Sequence, residues 1–371
     1  MFVSRIKLIS LGTIAFGLLV FLVACKKDSG NSPAPVNCNP PRVSNTNYAP
    51  ASNLGEFEAQ LESIRNEFRI PGMSAAIAKG HNLIWAKGFG FANVQQQAEA
   101  SPDTSFRIAS LTKTFASTII MQLVERGLLD LDTPVSEFGV PLENAGNITV
   151  RHLLTHTSEG VPGESYHYNG SRFALLDYVV ESVSGKSFAQ LLREEIIDPL
   201  QLTQTAPCTS PEANNLDLAQ GYCPSGEATL PYINSFSCAA GLISSVRDYI
   251  TYSLALDAYT FLSTVTMEEV FTPMISNDGE ALPYGLGWFV QTIDGQKIVW
   301  HYGWWDATSS LIIKALDKEL AFVIMANTDM LSRPFGLGNG DVTTSSIARY
   351  FLNSFVFGEG ELPEGSEYYS Y

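Results

Sequence analysis

The apolar residues of this chain keep two rhythms, and the alternation between them divides it into elements. From Leu54 to Phe68 they recur at helical spacing, which predicts a first helix. Met73–Lys79 and Leu83–Phe89 are short, mostly apolar runs separated by Gly80-His81-Asn82, the pattern of a hairpin. Helical spacing returns at Ser110, continues to Arg126 and meets Gly127, a residue suited to stopping a helix. A further helix is expected from Ser171 to Ser184, closed by Gly185, within a mostly helical stretch over 110–260. Strand-like runs resume at 284–291, 297–303, 308–315 and 320–327, and a last helix is expected over about 341–357. Strands near both ends of the chain with helices between them predict an α/β (α+β) fold. It would hold one antiparallel sheet flanked by helices, plus an all-helical lobe.

The first residues follow a different pattern. Arg5 and Lys7 precede an apolar run from Leu8 to Ala24, as in a secretory signal. Leu22-Val23-Ala24-Cys25 resembles a bacterial lipobox, which implies cleavage after residue 24 and lipid on Cys25. The alternative is an uncleaved transmembrane anchor, since the run is near the minimum spanning length. Either arrangement tethers the domain to a membrane outside the cytoplasm. Residues 25–52, rich in Ser, Asn and Pro, are expected to be a flexible tether, 53–358 the folded domain and 359–371 a disordered acidic tail.

Composition narrows the partners. The 371 residues are 45% hydrophobic and 16% charged, ordinary for a globular enzyme, with a net charge of −16. Loss of the signal leaves 20 bases against 38 acids, a net −18, which opposes nucleic-acid binding. Beyond Cys25 stand Cys38, Cys208, Cys223 and Cys238, which allow three disulfide connectivities. Cys208 and Cys223 flank a loop-like segment, so a local bridge is expected, with free buried thiols as the alternative. There is no Cys-x-x-Cys pair.

Candidate chemistry begins at Ser110-Leu111-Thr112-Lys113. On a helix, positions i and i+3 share a face, so hydroxyl and ammonium can meet. The lysine can take the serine proton only if its pKa is lowered by burial or a second cation. Read alone, such a pair is a helix cap with a surface lysine. It does not stand alone. Tyr168-Asn169-Gly170 precedes the helix at Ser171, and His301-Tyr302-Gly303 ends a strand-like run. Leu153-Leu-Thr-His-Thr-Ser158, Ala239-Ala-Gly-Leu-Ile-Ser-Ser-Val-Arg-Asp248 and Tyr284-Gly-Leu-Gly-Trp288 surround them.

In kind, order and spacing these motifs resemble the class C β-lactamase-like serine hydrolases, which include D-alanyl-D-alanine carboxypeptidases and esterases. The resemblance runs from about Leu54 to about Phe357. It implies a two-lobed fold with the site in the cleft, no metal or organic cofactor, and a small-molecule, ester or peptide substrate. Ser110 would be the acylated nucleophile. Lys113 would accept its proton, or hold Tyr168 in a reactive state as the proton shuttle. His301 stands where the family has lysine, and as a cation it would neutralise a substrate carboxylate. Gly303 would let the strand edge approach substrate, and the backbone N–H groups of Ser110 and Trp304 would form the oxyanion hole, with Trp304 and Trp305 walling the cleft. Gly170 replaces the family asparagine, and Asn169 is the candidate to act in its stead. The competing reading is a non-catalytic envelope protein that binds peptidoglycan or a peptide.

Two other patterns carry no chemistry. His152 and His156 have metal-ligand spacing, but no Glu lies between them as in His-Glu-x-x-His, so core or capping roles are expected. Gly88-x-Gly90 lacks the third glycine and βαβ unit of a dinucleotide site.

Overall fold

The computed structural model describes residues 46–229 and 235–363. The expected signal sequence, Cys25, Cys38, most of the expected tether and the end of the expected acidic tail lie outside the described residues. The chain begins with α1 (Leu54–Glu67), β1 (Gly72–Lys79), β2 (Asn82–Asn93) and β3 (Ala98–Glu99). It then leaves through β4 (Phe106–Ala109) and α2 (Thr112–Glu125). The inserted lobe holds α3 (Val150–Leu154), α4 (Gly170–Ala174), α5 (Leu176–Ser184), α6 (Phe188–Leu192) and α7 (Asp198–Leu200). After β5 (Ala206–Pro207), β6 (Gly221–Tyr222), β7 (Ala228–Thr229) and β8 (Leu242–Ser244) come α8 (Val246–Asp257) and α9 (Thr264–Val270). Strands β9 (Phe289–Ile293), β10 (Gln296–Trp305), β11 (Thr308–Ala315) and β12 (Leu320–Ala326) follow, and then α10 (Ser346–Phe351).

The main sheet is wholly antiparallel, in the order β3-β2-β1-β12-β11-β10-β9. Both ends of the chain therefore meet at its centre, where Met73–Lys79 of β1 pair with Ala326–Leu320 of β12. β12 is an unbroken apolar run because both its faces are covered. Phe322 packs on Phe57 of α1 and Phe351 of α10 at ring separations of 5.7 and 4.7 Å. Val323 and Met325 point the other way, into the core shared with α2 and α8. Period-two alternation here sorts side chains between two cores rather than between core and water.

Several expectations change. The lobe is not all-helical, since β4, β8 and β5 form a small sheet and β6 pairs with β7. The strand expected from 284 starts only at Phe289, because Gly287 turns the chain at φ +87°. The helix expected over 341–357 is a 3-10 turn at Val342–Thr344, α10, and a π turn at Leu352–Val356. Residues 46–52 are not free tether. Arg349 grips Asn47 Oδ1 and Thr46 O, Ala51 N–H donates to Ser354 Oγ, and Glu361 N–H donates to Ser52 O. Cys223 is disulfide-bonded whereas Cys208 and Cys238 are free, so the Cys208–Cys223 bridge does not form.

Candidate active site

Ser110 is presented by a strained turn ahead of α2 rather than by the helix itself, which starts two residues later than its spacing suggested, at Thr112. β4 ends at Ala109, whose φ of +47° is a left-handed conformation that costs an alanine about 1–3 kcal/mol. Leu111 N–H returns to Ile108 O (3.1 Å) and Lys113 N–H to Ser110 O (3.0 Å), so Ser110 lies in a tight turn ahead of α2. β10 presses against this turn from the other lobe. A Cβ on Gly303 would sit 2.2 Å from Ile108 O, the same carbonyl that accepts from Ser310 Oγ at 2.9 Å. Gly303 is thus required by the strand leading to the nucleophile, not by approach of substrate.

Lys113 is fully buried, and its Nζ donates to Ser110 Oγ (3.0 Å) and Ala239 O (2.9 Å). Burial pushes its pKa down to about 7, against a small opposing pull from Cys238. The rings of Tyr168 and Phe173 lie 5.1 and 5.3 Å from Nζ and supply π faces. No carboxylate contacts Nζ among the described residues. The amine therefore has its base form available at neutral pH.

The Tyr168 hydroxyl approaches Ser110 but makes no hydrogen bond of ordinary geometry. Burial first, then repulsion from Tyr302, holds the phenol protonated far above its usual range. The phenolate is therefore not favoured, and Tyr168 is a proton donor in the resting site. Its ring is fixed by stacking on Phe289 at 5.8 Å and by His156 at 4.3 Å. His156 Nδ1 accepts the backbone N–H of Asn169 (3.1 Å), so its proton must reside on Nε2. Burial and the nearby Lys113 keep that ring neutral. His152 does as expected, its Nδ1 accepting from Thr149 N–H (3.0 Å) in a capping box on α3.

Asn169 does not reach the cleft. It caps α4, accepting from Arg172 N–H (3.0 Å) and donating to Glu159, so it cannot replace a missing amide. Gly170 does face the chemistry: a Cβ there would lie 3.9 Å from Lys113 Nζ. Its φ lies outside the left-handed region, so the backbone tolerates a side chain.

His301 is not in the cleft either. It is wholly buried, with Nε2 2.8 Å from Tyr284 Oη and Nδ1 2.8 Å from the Tyr302 carbonyl. A carbonyl only accepts, so Nδ1 carries the proton and Nε2 accepts from the tyrosine. Burial, then the charge of Lys113, pushes its pKa well below the usual histidine range. The expected cation that would neutralise a carboxylate does not exist.

The cleft holds about 460 Å³ and is lined by Ser110, Lys113, Tyr168, Tyr302, Trp304 and Trp305 among others. β9 stops pairing with β10 at Trp300, which leaves the β10 edge beyond it open to the cleft. The turn after Trp305 is a two-residue hairpin closed by the Trp305–Thr308 pair, so alternation directs Trp304 N–H away from β11. Sequence reading missed three parts: the Ala239 carbonyl that anchors Lys113, the Tyr284 hydroxyl behind His301, and the His156 ring behind Tyr168. All three lie in motifs that were recognised, yet a backbone carbonyl and inward rings carry no residue-type signal.

This arrangement agrees with what the chain is similar to. The Beta-lactamase family profile matches residues 57–339, and the chain belongs to that family. It is a serine hydrolase of the β-lactamase-related kind. Penicillin-binding protein 4* of Bacillus subtilis is 26% identical over 327 residues, 74% of this chain and 71% of the relative. A D-aminopeptidase of Gluconobacter oxydans is 26% identical over 307 residues, 73% of this chain and 58% of its own length. The octameric penicillin-binding protein homologue from Pyrococcus abyssi superposes with a TM-score of 0.72 at 26% identity, covering 84% of this chain and 79% of that one.

Proposed function

We propose that this protein cleaves an ester or amide through a Ser110 acyl-enzyme, outside the cytoplasm and anchored by lipid on Cys25. The observation that carries the chemistry is the buried Lys113 amine, 3.0 Å from Ser110 Oγ, with a pKa near 7. Neutral Lys113 takes the Ser110 proton as Oγ attacks the carbonyl carbon. The backbone N–H groups of Ser110 and Trp304 receive the negative oxygen of the tetrahedral intermediate. As that intermediate collapses, the Tyr168 phenol donates to the departing alcohol or amine and recovers a proton from the Lys113 ammonium. Water then adds to the acyl-enzyme by the same route reversed, giving the carboxylic acid and free Ser110. The D-aminopeptidase and penicillin-binding relatives support carbonyl chemistry on amides.

The lipid anchor rests on Leu22-Val23-Ala24-Cys25 and its polar sequel Lys26-Lys27-Asp28. Labelling with a fluorophosphonate tests the hydrolase: wild type should be labelled and Ser110→Ala should not. Equal labelling of the two would defeat the assignment. Palmitate incorporation lost in Cys25→Ser is the expected result for the anchor, and retention would refute it.

A further inference from the structure

We propose that the cleft takes acyl donors bearing no free carboxylate beside the scissile bond, with an apolar group laid on Trp304 and Trp305. The proposal rests on the hydrolase reading above and names its substrate class: neutral esters, or amides that are capped or internal to a longer chain.

A bound carboxylate needs a cation or a set of charge-assisted donors, since an unpaired buried charge is costly. Lys113 is the one basic side chain lining the cleft among the described residues, and both its contacts are already made, to Ser110 Oγ and Ala239 O. A carboxylate drawn to Nζ would favour the ammonium and remove the base that activates Ser110. His301, the other candidate, is buried and locked neutral behind the strand. The net charge of −16 also repels anions at long range.

What the cleft offers instead is neutral. Ser171, Ser235 and Ser237 bring hydroxyls to its wall, suited to amide or ester oxygens. Trp304 and Trp305 remain 48% and 45% exposed at the hairpin tip while lining the same cleft. Adjacent tryptophans left open to water on a strand end provide a large apolar contact with a rigid shape.

The test uses two matched ester pairs on the full chain. p-Nitrophenyl hemisuccinate against p-nitrophenyl valerate places the charge on the acyl side; 4-acetoxybenzoate against its methyl ester places it on the leaving side. Each rate is divided by that ester's hydroxide rate to remove intrinsic reactivity. The neutral member should be favoured at least about tenfold in kcat/KM, the lower end of what an unpaired charge costs. Trp304→Ala/Trp305→Ala should raise KM for the valerate more than for p-nitrophenyl acetate. Equal use of charged and neutral members in either pair, or an equal effect of the double variant on both chain lengths, overturns the proposal. Absence of Ser110-dependent fluorophosphonate labelling sinks the hydrolase reading, and this proposal with it. Labelling without turnover of any of the esters sinks the proposal alone.

Discussion

Lys113 and Lys314 are both buried, at 0% and 1% exposure, and stand in the same domain, yet their ammonium groups meet different company. Lys314, on β11, reaches Asp257 Oδ2 at 2.8 Å and Ser253 Oγ at 2.6 Å on α8. Lys113 meets a hydroxyl and a carbonyl, and no carboxylate. Burial lowers the pKa of both; for Lys314 the Asp257 charge and hydrogen bond work against it. A buried lysine with a counter-ion remains a structural cation that ties a helix to the sheet. Without one it becomes a base. The fold keeps the two apart by placing acid beside one and only neutral oxygens beside the other.

The sharpest way to break this contrast is Lys113→Met. We expect kcat/KM on p-nitrophenyl acetate to fall about 10²–10⁴-fold, the usual worth of a general base. The same change removes a desolvation penalty, so Tm should rise by roughly 1–2 °C, the shift of about 1 kcal/mol in a domain of about 300 residues. The folded pKa of Lys113 lies below its unfolded value, so the unfolded chain binds more protons between about 7 and 10.5. Its contribution to stability therefore rises with pH across that window, and calorimetry should find the slope reduced in Lys113→Met. Next in size is the pH profile of wild type. With chemistry limiting, kcat/KM should drop about tenfold per pH unit below about 7 as Lys113 protonates. No second limb from His301 should appear between pH 5 and 7; a flat profile would defeat the Lys113 assignment.

Asp257→Ala probes the other lysine. Removing the partner of a buried charge is strongly destabilising, but Asp257 is 32% exposed at its side chain, so about 1–3 kcal/mol is expected. Urea unfolding should record that loss while kcat/KM stays at the wild-type value well below Tm. The smallest effect belongs to Gly170→Asn. Its Cβ would stand 3.9 Å from Lys113 Nζ, where an amide oxygen can accept from the ammonium and favour it. The acidic limb should move upward by roughly half a pH unit, the size of a modest hydrogen bond at about 1.4 kcal/mol per unit. An unmoved limb would mean that the side chain turns to solvent.

Much of the fold and the Ser110–Lys113 pair were legible in the sequence, and the illegible parts share a cause. Helix α1, the hairpin β1–β2 and strands β10 to β12 follow from hydrophobic spacing because each buries a continuous face. The Ser110–Lys113 contact follows because three residues in a tight turn or a helix bring the same positions together. Orientation across long separations was not available. His301 looked like a cleft cation because it stands where the resembling family has lysine, and Gly303 looked like a substrate-approach glycine. In the fold Gly303 instead makes room for Ile108 O, and His301 turns inward to Tyr284. Asn169 was assigned to the cleft by adjacency, but a cap is what its position ahead of α4 requires. The positive φ at Ala109 left no trace at all, since alanine is not a residue that announces a left-handed turn.

The anchoring of residues 46–52 also bears on mechanics. A pull applied along the N-terminal segment is met first by Arg349 at Thr46 and Asn47, then by Ser354 at Ala51. It is met last by the Glu361–Ser52 bond and the Asn53–Glu361 bridge, which clasp the two ends of the folded chain together. Force is thus discharged into α10 and the π turn behind it, none of whose residues line the cleft. The clasp would act as a strain relief, like the collar on a cable, for any load carried by the N-terminal segment.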